Sequence, residues 1–121
     1  MTPDRPRRHV VGTLAELPPG GRLIVDVAGR SIGVFNVGGR LHALHNHCPH
    51  KRGALCEGPI TGTVLATAGR EFRYGREGEI VRCAHHGWEF DIATGRALAD
   101  PRVRARTYAV EVDGEDIVVL A

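Results

Sequence analysis

Two short runs decide the reading of this chain: Asn46-His47-Cys48-Pro49-His50 and Cys83-Ala84-His85-His86-Gly87-Trp88. As ligand patterns they read Cys-x-His, a gap, then Cys-x-x-His. The 121 residues hold only three cysteines and seven histidines, so two such runs are a specific signal. Each sits at a turn between strand-like stretches. A tight loop of that kind can turn a soft thiolate and an imidazole to one side, and two loops can then converge on one metal centre.

Outward from these runs the chain reads as β-structure. His9 to Thr13 is a candidate first strand, and Leu17-Pro18-Pro19-Gly20-Gly21 is a turn. Arg22 to Val27 and Ser31 to Val37 alternate around Ala28-Gly29-Arg30. Gly38-Gly39 is a two-residue hairpin signal, and Arg40 to His45 leads into the first run. Between the runs, Val64 to Ala68 is strand-like. Glu71-Phe72-Arg73-Tyr74 alternates charge with ring, and Gly75 and Gly78 interrupt. Residues 63–81 read as an extra hairpin or extended flap. Phe72 and Tyr74 fit better as packing onto their own domain than as a partner-facing pair. Ile80 to Cys83 enters the second run and Trp88 to Ile92 leaves it. Asp100-Pro101 marks a turn. Thr107 to Val112 and Asp116 to Leu120 form a last hairpin around Asp113-Gly114, a type I′ signal. No stretch carries helical periodicity over ten residues. The expectation is an all-β antiparallel sandwich with two ligand-bearing loops, a single domain over 1–121 and a loose lead-in at 1–8.

Composition narrows the functional classes. The formal charge is +2 and arginine is scattered, so no nucleic-acid footprint is indicated. Three cysteines do not make a disulfide scaffold, and thiols left available for metal suit a reducing compartment. Arg7-Arg8 has no apolar segment after it, and no run approaches a membrane span. The reading is a cytoplasmic protein without a membrane partner.

The two runs and the residues after each resemble the ligand loops of Rieske-type [2Fe-2S] proteins. Cys48, His50, Cys83 and His86 match the ligand positions. The match continues through Gly53-Ala54-Leu55-Cys56-Glu57-Gly58 and through Gly87-Trp88-Glu89-Phe90-Asp91 to Thr94-Gly95. It resembles soluble Rieske ferredoxins and oxygenase Rieske domains. The stretch between the ligand pairs is longer than is usual in the family, with the excess in residues 61–79. The resemblance implies that Cys48 and Cys83 hold the inner iron and that His50 and His86 hold the outer one near the surface. Exchanging two thiolates for neutral imidazoles makes the oxidised cluster less negative and raises its potential. The competing reading of the same four residues is a Cys2His2 zinc site, although Cys-x-His is short for zinc.

Other residues carry weaker readings. His85 is an alternative to His86, but Cys-x-x-His and the following Gly87 favour His86. His9, His42, His45 and His47 read as strand or loop histidines, and Cys56 as a spectator thiol. Gly53 and Gly87 let the loops turn, and Trp88 shields the centre or packs in the core. High-potential members of the family carry a disulfide between the ligand loops, where this chain has Gly53 and His85. They also carry a serine that donates to a bridging sulfide, where this chain has Trp88. The resemblance therefore implies the lower part of the Rieske range of about −150 to about +300 mV, below about 0 mV.

The function implied by the resemblance is a one-electron carrier that takes electrons from a flavin-dependent reductase and passes them to a terminal oxygenase. It would be a component of an oxidoreductase system and not a complete enzyme. The alternative is a small Rieske-like subunit of a multi-subunit oxidoreductase, similar to the small subunit of nitrite reductase. A zinc-stabilised binding module is the third reading.

Overall fold

The computed structural model describes residues 6–49, 53–66, 72–83 and 87–121, with backbone only at 66 and 72–74. Its order is β1 (Arg8–Thr13), β2 (Arg22–Val27), β3 (Arg30–Val37), β4 (Arg40–His45), β5 (Ile60–Ala66), β6 (Phe72–Arg82), β7 (Glu89–Asp91), β8 (Thr107–Asp113) and β9 (Asp116–Leu120). Short 3-10 turns cover Leu14–Glu16 and Leu55–Glu57. Among the described residues no helix is long and apolar enough to cross a membrane.

Six strands form one sheet in the order β1-β9-β8-β4-β3-β2, and β5-β6-β7 form a second. All pairings are antiparallel. The meander β2-β3-β4 and the hairpin β8-β9 follow the sequence expectation. At the second hairpin Asp113 pairs with Asp116, which makes Gly114 and Glu115 the turn residues. Only Gly114 has a positive φ, at 63°, so the turn has the II′ pattern and not the expected I′.

Strand β3 is buried from Ile32 through Asn36, where half-burial by alternation was expected. Both of its faces are covered. Ile32 and Val34 enter one core with Leu17, Val27, Ala43, Ile117 and Val119. Phe35 enters the other with Leu44, Leu55, Phe90, Ile92 and all three cysteines. Strand β4 divides in the same way, Ala43 to the first core and Leu44 to the second. Asn36 is buried without penalty because its Nδ2 donates to Leu17 O at 2.9 Å and its Oδ1 accepts from Gly39 N at 2.8 Å.

Two expectations on chain organisation change. Of the lead-in expected over 1–8, residues 1–5 lie outside the described residues, whereas Arg7 exchanges two backbone hydrogen bonds with Ala121, both of 3.0 Å, and Arg8 pairs with Leu120. Residues 61–66 and 72–80 pair antiparallel, and β6 does not stop at its glycines. The register passes from Thr61↔Ile80 to Thr63↔Gly75, so 76–79 bulge out of β6. At the bulge Arg76 has φ 55°, and its guanidinium reaches Glu79 at 3.2 Å and Asp91 at 2.6 Å. Thr63 Oγ1 donates to Glu89 Oε1 at 3.0 Å. These contacts tie the base of the hairpin to β7. The side chains of Phe72 and Tyr74 lie outside the described residues.

Candidate metal centre

The first loop leaves β4 at His45 and the second leaves β6 at Arg82. Cys48 and Cys83 are both 0% exposed, and both belong to the same buried cluster with Leu55, Val81 and Phe90. No disulfide joins any of the three cysteines. Of the four candidate ligands the fold thus brings the two thiols into one core. His50 and His86, and with them the alternative His85, lie outside the described residues. For that reason no group of three His, Cys, Asp or Glu side chains suited to a metal is present among the described residues.

Backbone bonds shape both loops. Cys48 N donates to Gly53 O at 2.7 Å, closing the first loop behind its thiol. Cys83 N donates to Trp88 O at 2.8 Å and Gly87 N donates to Cys83 O at 2.9 Å, closing the second. Gly87 has φ 68°, a conformation that costs a residue with a Cβ more than glycine, so its place at this turn has a backbone reason. Trp88 is partly buried against the same core, so its packing role holds.

The first loop has a side-chain anchor that its sequence alone does not single out. Asn46 Oδ1 accepts from Cys56 N at 2.8 Å, and Asn46 Nδ2 donates to Ser31 Oγ at 3.0 Å and to Glu57 Oε2 at 2.9 Å. Asn46 N also donates to Ser31 O at 2.9 Å. One side chain thus fixes the start of the loop to β3 and to the 3-10 turn that comes after the loop. Arg22 adds a second anchor, donating to Cys56 O at 2.8 Å and also to Gly58 O. The only sequence signal is position: an amide immediately before a ligand loop is a common way to hold backbone N–H groups.

Cys56 is not a loop thiol. It is fully buried, and its Sγ donates to Leu44 O at 3.5 Å. Burial pushes its pKa up to about 12, with the nearby Gly33 N–H and Arg22 opposing. It stays protonated at neutral pH and is no thiolate ligand. Its bulk explains Gly33: a Cβ there would lie 2.4 Å from Cys56 Cβ and 2.6 Å from its Sγ.

Four further histidines are described. His9 lies on β1, with its Nε2 buried and unbonded among the described residues. His42 lies on β4 opposite Phe35, and burial chiefly lowers its pKa. His45 ends β4, and its ring lies 5.7 Å from that of the exposed His47.

The donor chemistry fits a [2Fe-2S] group. Two fully buried thiols, each on its own loop, share one core cluster, and each loop is held by backbone bonds, the first also by Asn46. Soft, desolvated thiolates suit iron bridged by sulfide. When bound, the cluster would supply a site that stores one electron. The chain's own part is to exclude water around Cys48 and Cys83 and to hold the two loops at a fixed separation.

Comparison with known proteins agrees. Residues 7–112 match the model of the Rieske [2Fe-2S] domain. The chain is 31% identical over 107 residues to the naphthalene 1,2-dioxygenase system ferredoxin component of Pseudomonas aeruginosa, covering 88% of each. It superposes on the ferredoxin of carbazole 1,9a-dioxygenase from Nocardioides aromaticivorans IC177 with a TM-score of 0.73 and 31% identity, covering 93% of this chain and 96% of that one. The fold is also that of a structure described as a nitrite reductase small subunit from Mycobacterium tuberculosis, with a TM-score of 0.72 at 24% identity, covering 98% and 97% of the two chains. With its two ligand-type loops, its paired buried thiols and a family match over most of its length, this chain belongs to the Rieske [2Fe-2S] domain family.

Proposed function

We propose that this protein is a Rieske-type ferredoxin, a one-electron carrier between a flavin-dependent reductase and a terminal oxygenase. The observation that carries the reading is the pair of fully buried thiols, Cys48 and Cys83, brought into one core from two loops. That arrangement serves the inner iron, and His50 and His86 are proposed as the ligands of the outer iron. The likeness to dioxygenase ferredoxins at 31% identity supports the partner class. The likeness to the nitrite reductase small subunit, at 24%, supports the fold alone and leaves that alternative second. The whole of 1–121 is proposed to act as one Rieske domain, in the cytoplasm, where thiols remain reduced before cluster assembly. Residues 61–79 are proposed to shape the surface beside the ligand loops without contributing a ligand.

Electron transfer of this kind asks for a modest potential. Gly53 stands where high-potential members have a cysteine and Trp88 where they have a sulfide-bonding serine. Fewer donors to the bridging sulfides leave the reduced cluster less stabilised. Protein-film voltammetry at neutral pH tests the assignment. The expected midpoint lies below about 0 mV, and a value near the top of the range, about +300 mV, overturns the shuttle role.

A further inference from the structure

Arg22 is bonded differently from the other described arginines. Arg8, Arg76, Arg82 and Arg102 reach carboxylates, and Arg106 lies over the Tyr108 ring. Among the described arginines, Arg22 is the one whose guanidinium donates to main-chain carbonyls. Its Nη1 reaches Cys56 O at 2.8 Å and also Gly58 O. Those carbonyls belong to the 3-10 turn Leu55–Glu57 and its exit, which closes the thiol-bearing core after the first ligand loop. The sheet carries the side chain there. Arg22 pairs with Phe35 in the β2–β3 ladder, and cross-strand partners share a face. Phe35 packs in the core that holds Cys48, Cys56 and Cys83. The cation is therefore held, partly buried, at the side of that core.

The same turn carries a charge of opposite sign. Glu57 is exposed, and its Oε2 accepts from Asn46 Nδ2 at 2.9 Å. The buried Cys56 thiol responds to both charges. Burial pushes it up, the Gly33 N–H and then the Arg22 charge oppose, and the Glu57 charge adds to the rise. Cys56 shares its core with Cys48 and Cys83, so the two charges also act on the surroundings of the proposed ligands.

An electron added at a site held by those thiols makes it more negative by one charge. A fixed cation nearby stabilises that charge, and a carboxylate opposes it. A guanidinium keeps its charge at every working pH. We infer that Arg22 and Glu57 are opposed potential-setting charges, Arg22 favouring the reduced protein and Glu57 the oxidised one. The inference rests on the ferredoxin reading.

The test is protein-film voltammetry of the cluster-bearing protein at neutral pH. Arg22→Gln keeps donors for the two carbonyls and removes the charge. It is expected to lower the equilibrium constant for one-electron reduction by about threefold or more, about 28 mV at about 59 mV per tenfold. Most of that shift should persist at 1 M salt, where the Debye length is about 3 Å, because a partly buried charge is screened less. Arg22→Lys keeps the charge and should recover most of the midpoint. Glu57→Gln keeps an acceptor for Asn46 and should move the midpoint upward at low salt, with the rise lost at 1 M salt because Glu57 is exposed. Arg40→Gln, at the far end of β4, removes the same charge as Arg22→Gln and is expected to leave the midpoint in place. With visible absorption intact, an unmoved midpoint in Arg22→Gln, an equal shift in Arg40→Gln, or an Arg22→Lys shift as large as that of Arg22→Gln overturns the inference alone. A Glu57→Gln midpoint that fails to rise at low salt overturns it even where Arg22→Gln holds no cluster. A purified parent protein that takes up no electron overturns the ferredoxin reading and this inference with it.

Discussion

Strands β3 and β4 are shared by two cores that differ in kind. On one face Leu17, Val27, Ile32, Val34, Ala43, Ile117 and Val119 make a hydrocarbon core between strands, with Tyr108 at its edge. On the other face Phe35, Leu44, Phe90 and Ile92 pack with Cys48, Cys56 and Cys83 and with Leu55 from the turn after the first loop. The first core is closed by strands whose side chains alternate, so folding alone completes it. The second is closed by loops, and two of its buried groups are thiols proposed as ligands. Its stability should therefore depend on what those thiols bind, and that of the first core should not.

The strongest way to break the comparison is to remove a proposed ligand. Cys83→Ser is expected to abolish visible colour completely. In hydrogen exchange, β5 to β7 should lose most of their protection while the β2-β3-β4 meander and the β8-β9 hairpin keep theirs. Uniform loss of protection across both sheets would show that the two cores are one cooperative unit.

A pair of truncations sharpens it. Phe90→Ala and Ile117→Ala each empty a fully buried site, one in each core. Each should cost roughly 2–5 kcal/mol in chemical denaturation. Only Phe90→Ala should also speed cluster loss at temperatures below unfolding, followed by visible absorption. A smaller effect is expected at the boundary between the cores. A Cβ on Gly33 would meet Cys56 at 2.4 Å, so Gly33→Ala should destabilise by about 1–3 kcal/mol. Adding Cys56→Gly should recover part of the loss in thermal melts.

How much of this is legible in the sequence differs between the cores. The hydrocarbon core is written in alternation: Leu23, Val25 and Val27, then Ile32 and Val34, then the β8-β9 hairpin. Local pattern reports one buried face at a time, so the second burial of β3 does not show. Phe35 and Gly33 face Cys56 and Leu44, which come from elsewhere in the chain. The bulge at 76–79 is hidden for a similar reason. Gly75 and Gly78 read as breaks, whereas the strand continues and Arg76 takes a positive φ while bonded to Glu79 and Asp91. The 3-10 turn at Leu14–Glu16 does carry a local signal, Thr13-x-x-Glu16, and Glu16 Oε1 accepts from Thr13 N at 2.9 Å. The thiols Cys48 and Cys83 are legible as candidate ligands because soft residues at short spacing are rare. Asn46 is not, because its role lies in three partners brought together only by the fold.

The smallest expected effect is a pH dependence confined to the second core. Cys56 is pushed up to about 12 in the folded chain by burial. An unfolded thiol ionises near pH ~8.5, so between that pH and about 12 the unfolded state binds fewer protons than the folded state. Stability from this thiol is fully present below the lower value and falls as pH rises, by up to about 1.4 kcal/mol per pH unit. Melts from pH 8 to 10 should show a steeper alkaline decline in the parent than in Cys56→Ala. Equal slopes would place the thiol in a wetter setting than its burial indicates.

Two thiols and two imidazoles holding one iron–sulfur centre are what the whole assignment stands on. Electron spin-echo spectroscopy of the reduced protein carrying 15N-labelled histidine reads those imidazoles directly. Couplings to two histidine nitrogens are expected, both kept in His85→Ala and one lost in His50→Ala or His86→Ala, alongside iron and sulfide at two each per chain as in a [2Fe-2S] group. A reduced protein with no histidine coupling, or a colourless protein holding stoichiometric zinc, would contradict the assignment.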